Sequence, residues 1–131
     1  MPRQKAAMTF RTVRAIGLRM PGVVETTMYG SPALKLGGRL IACIASHKSA
    51  EHNTLVMRTD FEQRDALIEE EPDTYYLEEH YKTFPVVLVR LSRVSPDAVR
   101  DLLGAAYRLV SASQKKRPPS RRRATGQSRP R

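Results

Sequence analysis

Three histidines with acids close by in the sequence are the residues that could bind a metal ion. His47 and His52 lie on either side of Glu51, and His80 follows two glutamates. A zinc site needs three or four such ligands converging on one ion. Two of these histidines share one polar stretch, and no zinc-type spacing is present. We therefore predict no metal site and no cofactor.

Groups for covalent or acid–base catalysis are arranged no better. No serine or cysteine stands with a histidine and an acid in a recognisable catalytic turn. Gly37 and Gly38 are too few for a phosphate-binding loop. The clustered acids are explained more simply as a solvated helix end and a loop than as paired catalytic carboxylates: Glu69, Glu70, Glu71, Glu78 and Glu79. We predict that the protein is not an enzyme.

The aromatic residues allow two interpretations. Exposed rings on a sheet can stack on the bases of a single-stranded nucleic acid. In a small domain, however, aromatic residues on strands more often pack in the core or at a sheet edge. We favour core packing and keep base stacking as the alternative for five residues: Tyr29, Tyr75, Tyr76, Tyr81 and Phe84.

The net charge of +10 is unevenly distributed along the chain. Thirteen basic residues face thirteen acids between residues 9 and 111, whereas residues 112–131 hold eight basic residues and no acid. Such a segment can neutralise phosphates without reading a base sequence, or can simply keep the protein in solution, and both explanations stay open. The candidate DNA-binding residues in this tail are Lys115, Lys116, Arg117, Arg121, Arg122 and Arg123.

A β-hairpin around Gly37 and Gly38 is the central predicted element. Adjacent glycines adopt the positive φ angles of a type I′ turn without strain. The alternation of strands then predicts an apolar face with Leu34 and Leu36, continued after the turn by residues 40, 42 and 44. The other face would carry Lys35 and Arg39.

The remaining pattern predicts helices over residues 10–19, 60–71 and 97–110, with Thr9, Asp60 and Ser95 as their N-caps. Strands are predicted over residues 23–28, 54–59 and 84–91, with a short strand and connection in residues 73–82 and a polar loop at residues 46–53. Short connections favour antiparallel pairing. We predict an α+β fold in which a twisted antiparallel sheet of five or six strands has helices packed on one face.

Composition places this fold in a single domain. Residues 1–8 form a basic N-terminal extension, residues 9–111 the domain, and residues 112–131 a tail predicted to be disordered because it lacks large apolar side chains. No stretch is long and apolar enough for a membrane span or a secretory signal, so we expect a cytoplasmic protein. We also expect a monomer. The single cysteine, Cys43, should be a buried packing residue.

Several short motifs together resemble the MmcQ/YjbR family. They lie at residues 18–22 (LRMPG), 29–33 (YGSPA), 35–40 (KLGGRL), 80–81 (HY), 85, 87–91 and 97–110, whereas Val86 departs from the family pattern, in which an aromatic residue often follows the proline. The resemblance implies the CyaY-like α+β fold and a "double wing" DNA-binding role. It would assign DNA contacts to Lys35 and Arg39 on the first hairpin and to Lys82 and Arg90 in the later strand pair.

Two functions therefore remain as hypotheses. The first is a small protein that binds double-stranded DNA largely without sequence specificity, with help from the tail. The second is a non-catalytic module that binds an unknown protein or metabolite through the sheet face or through the loops at residues 47–53 and 78–82. The neutrality of residues 9–111 favours the second hypothesis.

Overall fold

The computed structural model describes residues 8–116 of the chain. Its three helices are α1 (Phe10–Gly17), α2 (Phe61–Glu70) and α3 (Pro96–Lys116), and a short 3-10 helix covers Glu79–Tyr81. The strands are β1 (Val23–Met28), β2 (Ser31–Leu36), β3 (Arg39–Ile44), β4 (Thr54–Arg58), β5 (Tyr75–Tyr76) and β6 (Val86–Arg90). All six strands form one antiparallel sheet in the order β1-β2-β3-β4-β6-β5. This confirms the predicted α+β fold.

The predicted helix caps are formed by side chains at the expected positions. Thr9 Oγ1 accepts from the Arg11 amide at 3.3 Å, Asp60 Oδ1 from the Gln63 amide at 2.6 Å, and Ser95 Oγ from the Ala98 amide at 3.1 Å. Each satisfies an amide that the first helical turn leaves without a partner. At its other end α3 continues to Lys116, so residues 111–116 are helical beyond the predicted end. The rest of the predicted tail lies outside the described residues.

Two tight turns join the first three strands. Gly37 and Gly38 have φ angles of 58° and 80°, which confirms the predicted turn. A second turn, which the sequence did not predict, lies at Tyr29 and Gly30, with φ angles of 53° and 81°. Tyrosine rarely adopts a positive φ because its Cβ crowds the backbone there, and this rarity hides the turn from a pattern based on residue type.

A β-bulge in β3 changes which side chains share a face. Leu34 pairs with Ala42 but Lys35 pairs with Leu40, so Ile41 is an extra residue in β3. Leu40 therefore packs on the face opposite Ala42, contrary to the predicted alternation. Leu36 pairs with Arg39, so these two residues belong to one face of the sheet, whereas Lys35 belongs to the other. The prediction that Lys35 and Arg39 share a face is therefore wrong.

The helices pack on one face of the sheet, as predicted. Side chains of α1, α2 and α3 join the apolar side chains of the strands in the main core, which includes Val13, Leu34, Met57, Val87 and Leu103. The opposite face is not simply polar, because β4 and β6 are buried along almost their whole length on both faces. No helix within residues 8–116 is long and apolar enough to cross a membrane.

Candidate functional site

A second apolar cluster covers the sheet face that the helices leave open. Its floor comes from the four central strands β2, β3, β4 and β6, with Ala33, Cys43, Val56, Val86 and Leu88. Tyr76 and Tyr81 pack against this floor, and both are at most 9% exposed. The buried positions of these two rings, and of Tyr75, confirm the core interpretation for three of the five aromatic residues. It is wrong for Tyr29 and Phe84, which are exposed.

The loop of residues 45–53 is fixed over this face by Tyr76. Its hydroxyl accepts a hydrogen bond from the Glu51 amide at 2.8 Å and shares another with Thr54 Oγ1 at 2.7 Å. Arg90 lies over the Tyr76 ring at 4.3 Å and forms a bidentate ion pair with the Glu51 carboxylate, with N···O distances of 2.9 and 2.8 Å. These contacts make Tyr76 and Arg90 the anchors of the loop.

The segment of residues 77–85 forms the other wall and is held by Arg64 of α2. The Arg64 side chain is only 10% exposed, and its Nη1 donates to the carbonyls of Lys82 at 2.9 Å and Phe84 at 3.4 Å. On the outside, the rings of His47 and His80 stack at 3.7 Å and join the two walls. The segment is therefore fixed from α2 on one side and from the loop on the other.

Between these walls and the turn that joins β1 to β2 lies a cleft of about 270 Å³. Its floor is formed by Leu40, Cys43, Val56 and Val86, and its rim by Met28, Tyr29, Ser46, His80, Tyr81, Phe84 and Pro85. The remaining lining residue is Arg58, and no acid is among the twelve. The lining is thus apolar except for one cation, one hydroxyl, one thiol and the imidazole and phenol groups.

Arg58 is the charged group of the cleft. Its Nε donates to the Leu40 carbonyl at 2.7 Å, and within residues 8–116 no carboxylate pairs with it. Burial, and then the neighbouring charge of Arg39, lower the pKa of Arg58, but a guanidinium stays protonated at neutral pH. The cleft therefore holds a half-buried positive charge that no protein acid neutralises.

Cys43 adds a thiol to the floor of the cleft and is 6% exposed, as predicted for a packing residue. Burial raises the pKa of this thiol to about 11, against a smaller lowering effect of the Lys35 charge. The predicted DNA-binding residues Lys35 and Arg39 thus both act electrostatically on groups of the cleft, Lys35 on Cys43 and Arg39 on Arg58.

The other predicted DNA-binding residues are placed differently. Lys82 lies on the surface 3.8 Å from the Glu79 carboxylate. The guanidinium of Arg90 is occupied by Glu51 and by the carbonyls of Pro72 and Asp73. Lys115 and Lys116 end α3, whereas Arg117, Arg121, Arg122 and Arg123 lie outside the described residues. Of the predicted DNA-binding cations, Arg90 is therefore the one whose guanidinium is committed to contacts among the described residues.

The described residues include no group of three or more His, Cys, Asp or Glu side chains that could hold a metal ion. A serine–histidine contact does occur, since Ser49 Oγ lies 2.8 Å from His47 Nδ1. The Ser49 amide also donates to that nitrogen at 3.1 Å, and among residues 8–116 no carboxylate contacts the ring. A catalytic base normally has a third group that orients it, so this contact is explained as a local turn.

The sequence analysis missed Arg58, although it placed the residue in a predicted strand. A cation at the end of the apolar run at residues 55–57 is the only signal that could have marked it. That signal is weak, because charged residues commonly end strands at a solvated edge. The sheet face and both wall loops, by contrast, were predicted as one possible ligand site.

Comparisons with known proteins bear on the fold and the family. The crystal structure of the Deinococcus radiodurans protein DR2400, which has a DUF419 domain, matches with a TM-score of 0.67 at 21% sequence identity. The match covers 91% of this chain and 88% of that one, and it shows the shared fold. A search of curated proteins found no match. The family model named YjbR matches residues 18–109, which is more than half of the sequence and includes all six strands. The chain therefore belongs to the YjbR family.

Proposed function

We propose that the protein is a non-catalytic binding module that takes a small organic ligand into the cleft on the open face of its sheet. The observation that carries this proposal is the unpaired, half-buried Arg58 in an otherwise apolar cleft. Sites for small molecules are concave and mostly apolar, with a few polar groups that orient the ligand. Burying a charge without a partner costs free energy, so an anionic ligand that pairs with Arg58 would stabilise the folded protein.

The size of the cleft limits the ligand. Its volume of about 270 Å³ lies near the lower end of the range usual for ligand sites, roughly 300–1,000 Å³. A metabolite of one or two rings suits this volume better than a dinucleotide does. The anchoring of both walls by Arg64, Tyr76 and Arg90 supports a site that is largely formed before the ligand arrives.

The experiment is an NMR titration of the ¹⁵N-labelled chain with 2-naphthol, a neutral two-ring probe, at up to millimolar concentrations. We expect amide shifts to concentrate at lining residues such as Cys43, Val56 and His80. Leu40→Trp should abolish them, because the larger side chain fills the cleft. Val24→Trp is the matched control, since Val24 is 56% exposed on β1 and does not line the cleft. Shifts that are scattered or insensitive to Leu40→Trp would refute the proposal, and so would the absence of shifts both with 2-naphthol and with its anionic analogue 2-naphthoate.

Binding to DNA is the second candidate function, and a different observation favours it. Eight of the 23 basic residues lie in residues 112–131 without any acid, whereas residues 9–111 are formally neutral. Nonspecific affinity for DNA grows with the number of cations brought to the phosphates. In this proposal the tail supplies most of the contacts to phosphates, and Lys35 and Lys82 supply a few more. The proposal is tested by measuring how the affinity for DNA depends on salt concentration. For either function a cytoplasmic location stays a prediction.

A further inference from the structure

The outer end of the Arg58 guanidinium is the part of the cleft that the protein leaves without an acceptor. Nε is fixed by its hydrogen bond to the Leu40 carbonyl, and no acceptor for the two Nη groups lies within residues 8–116. The two outer N–H donors of a guanidinium match the two oxygens of a planar carboxylate. This geometry fits a single carboxylate better than a phosphate, whose additional charge and oxygen atoms need more donors.

The surrounding charges select for an anion. None of the lining residues is an acid, and Arg39 and Lys35 add positive potential at Arg58 and Cys43. Charges interact more strongly where water is partly excluded, so these cations would repel a cationic ligand. A neutral ligand would bind without neutralising the charge of Arg58.

Two rings at the rim supply the apolar part of the recognition. Tyr29 is 88% exposed and Phe84 is 51% exposed, although both line the cleft. Tyr29 also stands at a positive φ of 53°, a conformation unfavourable for a bulky residue. Backbone strain of this kind occurs preferentially at binding sites, where it places a side chain for its ligand. Neither ring is buried in the core, so the faces of both are available to stack on a ligand.

We propose that the ligand is a small aromatic carboxylate, with its carboxylate on the Nη groups of Arg58 and its ring against Tyr29 and Phe84. This inference rests on the proposed function, since it names the class of ligand for the same cleft.

The test compares three probes of one shape on the full chain: 2-naphthoate, the neutral 2-naphthamide, and decahydro-2-naphthoate, which is anionic but saturated. Dissociation constants come from amide shifts of the lining residues. We expect 2-naphthoate to bind about tenfold to a hundredfold more tightly than 2-naphthamide, because a hydrogen-bonded ion pair is added. It should also bind about threefold to tenfold more tightly than the saturated acid, because only the aromatic ring stacks.

Two variants assign the preference to Arg58. Arg58→Gln keeps a donor for the Leu40 carbonyl but removes the charge, so 2-naphthoate should fall to the affinity of 2-naphthamide while the amide binds as before. Arg58→Lys keeps the charge without the two parallel donors and should retain part of the preference. If the Arg58→Gln variant fails to fold, the comparison of probes on the unmodified chain still decides the question.

The outcomes separate this inference from the proposed function. Equal binding of 2-naphthoate and 2-naphthamide at the lining residues would overturn the anionic class and leave the cleft a binding site. Equal binding of the saturated acid would overturn the aromatic requirement, and tighter binding of 2-naphthyl phosphate would overturn the carboxylate. If none of the probes shifts a lining residue, the proposed function itself fails.

Discussion

At the scale of single residues, the reactivity of the Cys43 thiol reports how deeply it is buried in the floor of the cleft. The thiolate is the form that reacts with alkylating agents, and burial raises the pKa of this thiol from 9.0 to about 11. At pH 8 the folded protein should therefore hold about 100-fold less thiolate than the unfolded chain. We expect iodoacetamide to modify the native protein at least about 100-fold more slowly than the urea-unfolded protein. Mass spectrometry reads the result directly, because the chain has one cysteine.

The pH dependence of this reaction has a defined sign. Because the pKa of the thiol is raised, its rate should climb about tenfold per pH unit from pH 8 to pH 10 and level off only near pH 11. Lys35→Gln removes the cation that lowers this pKa and should slow the reaction further. Glu62→Gln on α2 is a matched control for a change of one charge away from the cleft. A native rate that levels off near pH 9 would contradict the burial of Cys43.

Two arginines show why the residues of the site were hard to predict. Arg90 was predicted to contact DNA, yet its partners lie up to 39 residues away in the sequence and occupy the guanidinium. Arg58 drew no prediction, yet the fold places it in the cleft without an acid nearby. Both are strand arginines in similar local sequences, MRT and VRL. Only the tertiary contacts distinguish them, and a pattern of residue types does not contain those contacts.

At the scale of elements, alanine substitutions at two glycines test how closely α1 approaches the sheet. A Cβ added at Gly17 would lie 2.5 Å from Cδ1 of Leu34, a fully buried side chain of β2. Gly104 lies inside α3, and the first atom that its Cβ would meet is Nη1 of Arg108 at 3.5 Å, an ordinary contact. We expect Gly17→Ala to lower the free energy of unfolding by roughly 1–3 kcal/mol through overpacking.

Gly104→Ala is the matched control for the same chemical change. It should raise the free energy of unfolding by roughly 0.5–1 kcal/mol, because alanine favours the helix and no clash opposes it. Urea unfolding of the two variants and the unmodified chain gives both values. If Gly17→Ala also raised the free energy of unfolding, α1 would not pack on β2 as closely as described.

The elements themselves were largely predictable, since each carries a local signal. Caps at Thr9, Asp60 and Ser95 and the turn at Gly37 follow from the side chains at those positions. The bulge at Ile41 has no such signal, because an extra residue in an apolar strand leaves the composition unchanged. Its effect is large, since it places Leu40 in the floor of the cleft.

At the scale of the whole molecule, the charge is unevenly distributed: residues 9–111 are formally neutral, and residues 112–131 are basic. Six of the eight basic residues in residues 112–131 lie after Lys116, where the described helix α3 ends. A chain of residues 1–116 therefore removes six positive charges without cutting a described element. Its thermal unfolding midpoint should equal that of the full chain, which makes it a fair test of the charged segment.

The prediction concerns the salt dependence of DNA binding by these two chains. If the six charges contact six phosphates, they should contribute about −5 to the slope of log affinity against log salt concentration for the full chain. Residues 1–116 should lose this contribution and much of the affinity, and keep a slope of about −1 to −2 from contacts such as those of Lys35 and Lys82. Fluorescence anisotropy with a labelled duplex at several salt concentrations measures both slopes. Lys35→Gln in the full chain tests whether the β2–β3 hairpin contacts DNA, and it should change the slope by about 1. Equal slopes for the two chains would assign binding to the folded part instead. No binding by the full chain would refute DNA binding as a function of this protein.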